Sequence, residues 1–350
     1  MKTPTMLQVL RTFILSVTAL LMVSATQVAL AQEATPNVDA GVDRLIFLGT
    51  AGGPMARVKR GQPATLLVVD GKSYLIDAGA GTVDKIAKAG IDPQTVRDIF
   101  ITHHHLDHTA GLEPLISLDW IGRNLRTRQS TPHINIYGPP GTESLLSYSL
   151  QYLSISERIF QSMGSDQMAP SDSIFFARNV AAGKPFFDDG KVTVLAVENT
   201  HYHFKPEEAA YKAGDKSYSY RFETPSGSIV FTGDTGPSPA VTELAKGADV
   251  LVSEVISLDQ TRVLWKKNFN VAMPDDVAYH MAQEHLTPEE VGKMAQQAGV
   301  KMVILNHLVP ALDSYDGTAA YSEGVKKFYS GPVVVSKDLW EYNLYKDGKR

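Results

Sequence analysis

The chain has 350 residues, with 33 lysines and arginines against 38 aspartates and glutamates, and no cysteine. The missing thiols exclude disulfides, cysteine-ligated zinc and an acylated-cysteine lipoprotein anchor. A net charge of -5 argues against an extended nucleic-acid surface, although a local basic patch stays open.

Lys2 and Arg11 flank the start of an apolar stretch from Phe13 to Leu30, and Ala29-Leu30-Ala31 offers a small-x-small cleavage site. This predicts a secretory signal peptide over residues 1–31, cleaved after Ala31, and hence a periplasmic or secreted protein. The stretch is nearly long enough to be a permanent anchor instead, but the polar Gln32-Glu33 that follows favours removal. Its loss takes two positive charges and no acid, so the mature chain carries -7. No later segment is apolar for long enough to span a bilayer, and no stable membrane insertion is expected. Residues 32–350 show no repeat, heptad or low-complexity linker, which predicts a single domain.

That domain opens with LIFLGTAGGP at residues 45–54, a strand running into a glycine-rich loop. The spacing is neither a Walker loop nor a dinucleotide fingerprint. Strands follow over residues 65–69 and 74–76, joined by the hairpin signal Asp70-Gly71. Asp77-Ala78-Gly79-Ala80-Gly81 ends the second strand, and a helix over 82–89 is closed by Gly90.

Residues 99–112 read IFITHHHLDHTAGL. Ile99, Phe100 and Ile101 have the look of a buried strand, after which the chain turns through His103, His104, His105, Asp107 and His108. Alternate side chains point the same way in extended backbone. His103 and His105 can therefore converge on one point, and Asp107 with His108 on a second. Imidazoles suit zinc, and a carboxylate suits a neighbouring, more open ion, so the pattern is built for two metals. A surface histidine run would also bind metal, but it would not follow a core strand.

Beyond the motif, the pattern predicts a helix over 113–128, a strand over 134–137, a helix over 142–165, and strands over 174–178 and 191–197. Strand pairs alternating with crossover helices imply an α/β or α+β sandwich with helices outside. His201 stands where the chain leaves the 192–197 strand and is the expected third histidine of the first metal. His203 would face the same side. Asp234 ends the strand 228–231 and can bridge two cations, or simply form a turn. His307 follows the strand 303–305 and would complete the second metal. One ion would take His103, His105 and His201, the other Asp107, His108 and His307, with Asp234 between them. Two zinc ions are expected, though such sites also accept manganese or iron. Coordination lowers the pKa of bound water toward ~7, and Asp107 is placed to hold or accept that proton.

The leaving group needs a proton. His285 is the candidate acid, two residues ahead of the capping box formed by Thr287 and Glu290, and Glu254 is a candidate to orient it. His104, His133 and His280 read as ordinary polar residues.

In order, LGTAGGP, YLIDAG, ITHHHLDH, ENTH, YSYRFET, VFTGDTG, LVSEV, HLTPEE and LNHLVP span nearly the whole mature chain. The series resembles the ribonuclease Z and arylsulfatase-like branch of the metallo-β-lactamase superfamily. The resemblance implies an α+β fold, an αββα sandwich of two mixed sheets with the metals at one edge. It also implies that Asp77 orients a histidine, that His201 and not His203 is the ligand and that His285 is the general acid, and it is compatible with a homodimer.

Two departures bear on substrate. An exported acidic protein does not meet precursor tRNA, and no glycine-rich basic RNA-binding arm is evident. Inserts at 202–217 and 256–284 would shape the pocket instead, and Trp265, Lys266, Lys267 and Phe269 in the second suit an aryl group joined to an anion. These features point to an exported hydrolase of a small-molecule phosphodiester or sulfate ester, with no nucleic-acid partner. A carbonyl ester, lactone or β-lactam hydrolase uses the same site, and a non-catalytic metal-binding protein is the alternative from another class.

Overall fold

The first half of the chain lays down six strands of one sheet: β1 (Arg44–Gly49), β2 (Ala64–Val69), β3 (Lys72–Ile76), β4 (Val96–Phe100), β5 (Ile134–Gly138) and β6 (Phe175–Asn179). A second sheet takes β7 (Pro185–Asp188), β8 (Thr193–Glu198), β9 (Tyr218–Thr224), β10 (Gly227–Phe231), β11 (Val250–Ile256), β12 (Val303–Val309) and β13 (Val333–Val335). The last strand, β14 (Trp340–Asn343), returns to the first sheet beside β1, so that each sheet has seven strands. This computed structural model describes residues 41–126, 133–163, 168–314 and 317–345. The expected signal peptide and Arg128 lie outside the described residues. Among those described, no helix is long and apolar enough to cross a membrane.

Both sheets are mixed. From β14 to β3 the pairings are antiparallel, and from β3 to β6 they are parallel. The second sheet repeats the scheme, antiparallel from β7 to β10 and parallel from β10 to β13. Parallel neighbours need crossovers, and the helices supply them. Over the first sheet lie α1 (Thr82–Lys88), α2 (Leu106–Thr109), α3 (Leu112–Arg126) and α4 (Thr142–Ser162). The later helices are α5 (Ala209–Ala213), α6 (Pro239–Leu244), α7 (Leu258–Phe269), α8 (Asp275–Glu284), α9 (Pro288–Ala298) and α10 (Ala319–Lys326). The result is the expected αββα sandwich.

Alternation along the strands explains the layers. In β1, Leu45 and Phe47 pack into the space between the sheets, while Ile46 and Leu48 pack under the helices. A strand buried on both faces reads as an unbroken apolar run, as RLIFLG does. On the far side, α9 turns Val291, Met294, Ala295 and Ala298 onto Val230, Leu251 and Leu305. Its capping box forms as expected, with Glu290 Oε2 accepting from Thr287 N at 2.8 Å.

The hairpin turn at Asp70-Gly71 has φ of 48° and 76°, the left-handed pair that a two-residue connection requires. Strands expected at 174–178 and 191–197 begin one and two residues later. The short strands β7, β13 and β14 went unpredicted, because three or four residues are too few to show a period. The inserts are not loops: 202–217 contains α5, and 256–284 contains α7 and α8.

Phe100, the last residue of β4, is completely buried between the sheets. Its ring stacks on Tyr137 at 5.2 Å and meets Phe187 and Phe222 edge-on at 5.2 and 5.1 Å. It thereby fixes the strand that delivers the histidine motif. Phe100→Ala should lower the unfolding free energy by about 3–5 kcal/mol in urea titrations. Tyr152→Ala, on the exposed face of α4, should change it by less than about 0.5 kcal/mol.

Candidate metal centre

Side chains able to bind metal leave the sheets at one edge, at or just beyond the carboxyl ends of strands. The chain runs out of β4 through Thr102 into His103, His104 and His105, and His105 caps the single turn α2 that carries Asp107 and His108. Glycine is required close by: a Cβ at Gly111 would lie 2.1 Å from the Gly79 carbonyl. That close approach lets Ala78 N donate to His108 O and Gly111 N donate to Ala78 O, both at 2.8 Å. His201 leaves β8, and Asp234 follows β10.

His307 differs from the sequence expectation, which ended its strand at Leu305. β12 continues to Val309, and opposite β11 it places Asn306 and His307 where β11 has Glu254 alone. His307 takes φ of 43° in this bulge. The extra residue re-aims the imidazole without ending the sheet.

Two groups result. His103, His105 and His201 place one ring nitrogen each within 4.8 Å of one another, and a ring nitrogen each of His108 and His307 and a carboxylate oxygen each of Asp107 and Asp234 lie within the same distance of one another. Asp234 spans both. Its Oδ2 lies 3.8 Å from His103 Nε2, 3.9 Å from His201 Nε2 and 3.1 Å from His307 Nε2, and its Oδ1 lies 3.3 Å from His108 Nε2. Asp107 Oδ2 is 3.4 Å from His307 Nε2. His203 is exposed and outside both groups, whereas His201 is buried.

Burial holds His103 well below the ordinary imidazole value, and it lowers His105 and takes His201 down to about 3. These rings keep free lone pairs at neutral pH. Burial also opposes charge on His108 and His307, but Asp234 outweighs it there, with Asp77 helping at His108 and Asp107 at His307. His307 is carried up to about 10. Burial likewise opposes ionised Asp234, yet the His307 and His108 rings hold it well below the usual carboxylate range. The pocket therefore asks for positive charge at its centre. His103 Nε2, His108 Nε2 and Asp234 Oδ1 are buried with no hydrogen-bond partner among the described residues, a costly state for polar atoms unless a cation meets them. The donor set fits divalent metal.

Surrounding groups hold the rings in place. Asp77 Oδ2 lies 2.8 Å from His108 Nδ1, while Asp77 Oδ1 accepts from Thr102 N at 2.7 Å. The Glu284 carbonyl is 3.0 Å from His201 Nδ1. His285 ends α8, and its Nδ1 lies 2.8 Å from Glu254 Oε2. Burial works against its charge, but Glu254 and then Asp234 raise it above the ordinary value. Glu254 Oε1 accepts from Thr235 N at 2.9 Å and Leu286 N at 3.3 Å, so the carboxylate is itself fixed. His104 packs on Thr142, and His133 and His280 lie on the surface.

Sequence reasoning missed several neighbours. Gly53 N donates to Asp107 Oδ2 at 2.9 Å. Tyr202 lies 5.2 Å from the His201 ring and 5.3 Å from that of His105. Thr102 Oγ1 contacts Asp77 and His103 Nδ1. Only the glycine-rich loop carried a signal, and its partner lay 54 residues away. Trp265 and Phe269 pack together on α7, while Lys266 and Lys267 point into solvent.

Residues 72–308 match the family model described as the beta-lactamase superfamily domain. The ribonuclease Z of Mycobacterium bovis is 26% identical over 303 residues, covering 86% of this chain and 98% of that one. That of Mycolicibacterium paratuberculosis is 30% identical over 295 residues, covering 84% and 95%. In fold, the chain is similar to the metallo-beta-lactamase fold protein YhfI from Bacillus subtilis, with a TM-score of 0.61, 18% identity, and coverage of 86% and 99%. Relatives named as ribonucleases, aligned over most of the chain, overturn the expectation of a small-molecule ester with nucleic acid excluded. That expectation rested on expected export, on the lack of an evident RNA-binding arm and on net charge, and net charge averages over the whole surface, whereas phosphate contacts are made by local groups. The chain belongs to the beta-lactamase superfamily, in its ribonuclease Z-like branch, and is a metal-dependent hydrolase of ester bonds.

Proposed function

We propose that the protein is an exported dinuclear zinc phosphodiesterase acting on ribonucleotide phosphodiester bonds. The observation that carries the reading is Asp234, set between His103, His105 and His201 on one side and Asp107, His108 and His307 on the other. The ribonuclease Z relatives support the ribonucleotide substrate. Export rests on the first 31 residues alone.

Two divalent ions held there would supply a water of pKa near ~7 and counter-charge for a phosphodiester. The remaining work belongs to the chain. Asp107, fixed by Gly53 N, is placed to hold the proton of the attacking water. His285 has its Nδ1 engaged by Glu254, which leaves Nε2 free to carry a proton to the leaving oxygen. Its raised affinity for that proton suits a general acid. Asp77 acts through His108, setting its ring by the contact at Nδ1.

Zinc-loaded mature protein should cleave bis(p-nitrophenyl) phosphate and single-stranded RNA in preference to p-nitrophenyl sulfate, and Asp107→Ala should abolish both cleavages. A sulfate preference with two ions bound would sink the phosphodiester reading. His285→Ala should slow RNA cleavage by roughly 10²–10⁴. The loss should be far smaller on bis(p-nitrophenyl) phosphate, whose nitrophenolate leaves without a proton. Equal losses on the two substrates would remove His285 from the acid role.

Asp77→Ala should weaken zinc binding by roughly 10–100-fold in chelator competition. Export is read separately: the mature protein recovered from periplasm should begin at Gln32 by N-terminal sequencing. Recovery of an uncut chain in the cytoplasm would refute it.

A further inference from the structure

Beside the second group of ligands lies a cavity of about 210 Å³ that the chemistry above does not use. Its walls come from two distant stretches. Met55 and Arg57 belong to the loop after β1, and Leu264, Trp265 and Phe269 lie on α7, with Met281 from α8 beneath. Both helices belong to the insert that the family motifs leave blank.

The cavity shares its floor with the metal centre. Gly52 and Gly53 line it, and so does Val309. Gly53 N is the donor to Asp107 Oδ2 at 2.9 Å. Gly52 lies so close behind His307 that a Cβ there would fall 2.6 Å from the imidazole and 2.5 Å from Val309 Cγ2. Glycine at 52 thus keeps the slot and the ligand sphere in direct contact. Met281 stands four residues before His285 on the same helix.

The lining is chemically specific. Trp265 and Phe269 give aromatic surface, with ring centroids 4.8 Å apart. Two donors are buried there with no acceptor among the described residues, Trp265 Nε1 and Arg57 Nε. Buried N–H groups without partners are costly, and the cost disappears when a ligand brings acceptors. The volume is below the roughly 300 Å³ of a drug-sized site and suits one ring system. A flat aromatic ring bearing acceptor nitrogens or carbonyls, placed next to a phosphate, describes a nucleobase.

We propose that this cavity is a nucleobase subsite, in which Trp265 stacks on the base and the Trp265 and Arg57 N–H groups meet its acceptors. The proposal deepens the phosphodiesterase reading and rests on it for the identity of the neighbouring phosphate. The site gives this enzyme a contact with the base as well as with the backbone.

The test compares adenosine 5′-monophosphate with ribose 5-phosphate, by calorimetry on the zinc-loaded protein. The two ligands share the phosphate and differ in the base. Wild type should bind the nucleotide roughly ten- to hundredfold more tightly, the range for a base stacked on an aromatic side chain. Trp265→Ala should erase that preference while leaving ribose 5-phosphate affinity and zinc content unchanged. Equal binding of both ligands by wild type, or a preference that survives Trp265→Ala, would overturn the proposal. Trp265→Phe deletes the indole N–H and Arg57→Met the whole guanidinium, and both disturb the packing less than alanine at 265, so they serve if the alanine variant does not fold. Each should lose part of the preference, and full retention in both would count against the subsite. Base preference without phosphodiester turnover would leave the subsite standing and sink the phosphodiesterase reading, and turnover without base preference would do the reverse.

Discussion

Asp234 is only 2% exposed, yet it stays ionised amid buried imidazoles. A lone carboxylate in such a place would be expelled or protonated. It persists because His307, His103 and His201 surround its Oδ2 and His108 faces its Oδ1, at 3.1–3.9 Å. Every ring in that set is held at its far nitrogen or by its backbone. Asp77 holds His108, the Glu284 carbonyl holds His201, and the bulge in β12 holds His307. The site is thus a compact block of opposed charge, whose unmet lone pairs call for cations.

Such a block can be assembled only where many chain segments end together. Parallel strands within each sheet bring their carboxyl ends to one edge, and the loops that follow carry the chemistry. The apolar interior between the sheets keeps those ends in register. Phe100 belongs to that interior and sits three residues before His103. A core aromatic and a metal ligand on one short segment tie the precision of the site to the packing of the sandwich.

The insert at 256–284 adds a second layer of control. Its helix α8 supplies the carbonyl that fixes His201 and ends in His285, and its helix α7 supplies the aromatic wall of the neighbouring cavity. A ligand in that cavity would press on the same helices that set the acid and one metal-facing ring. The aromatic wall of the cavity and part of the geometry of the centre are therefore carried by one structural unit.

Much of this was legible in the sequence. His103, His105, Asp107 and His108 lie within six residues, so local spacing alone gathers them, and strand ends marked His201, Asp234 and His307. Alternation pointed to a sandwich with helices outside, and the resemblance carried by the order of the motifs implied its αββα class. What the sequence did not carry was anything that depends on distant segments meeting. The bulge that re-aims His307 is defined only by pairing with β11, and Gly53 matters because folding brings it to Asp107. Trp265 and Arg57 form one wall only after more than two hundred residues of chain fold back. Net charge pointed away from nucleic acid because it is a sum over the whole chain. Local patterns are written in adjacent side chains, whose spacing the covalent backbone sets. Long-range contacts depend on how two sheets pack, and no short stretch of sequence holds that information.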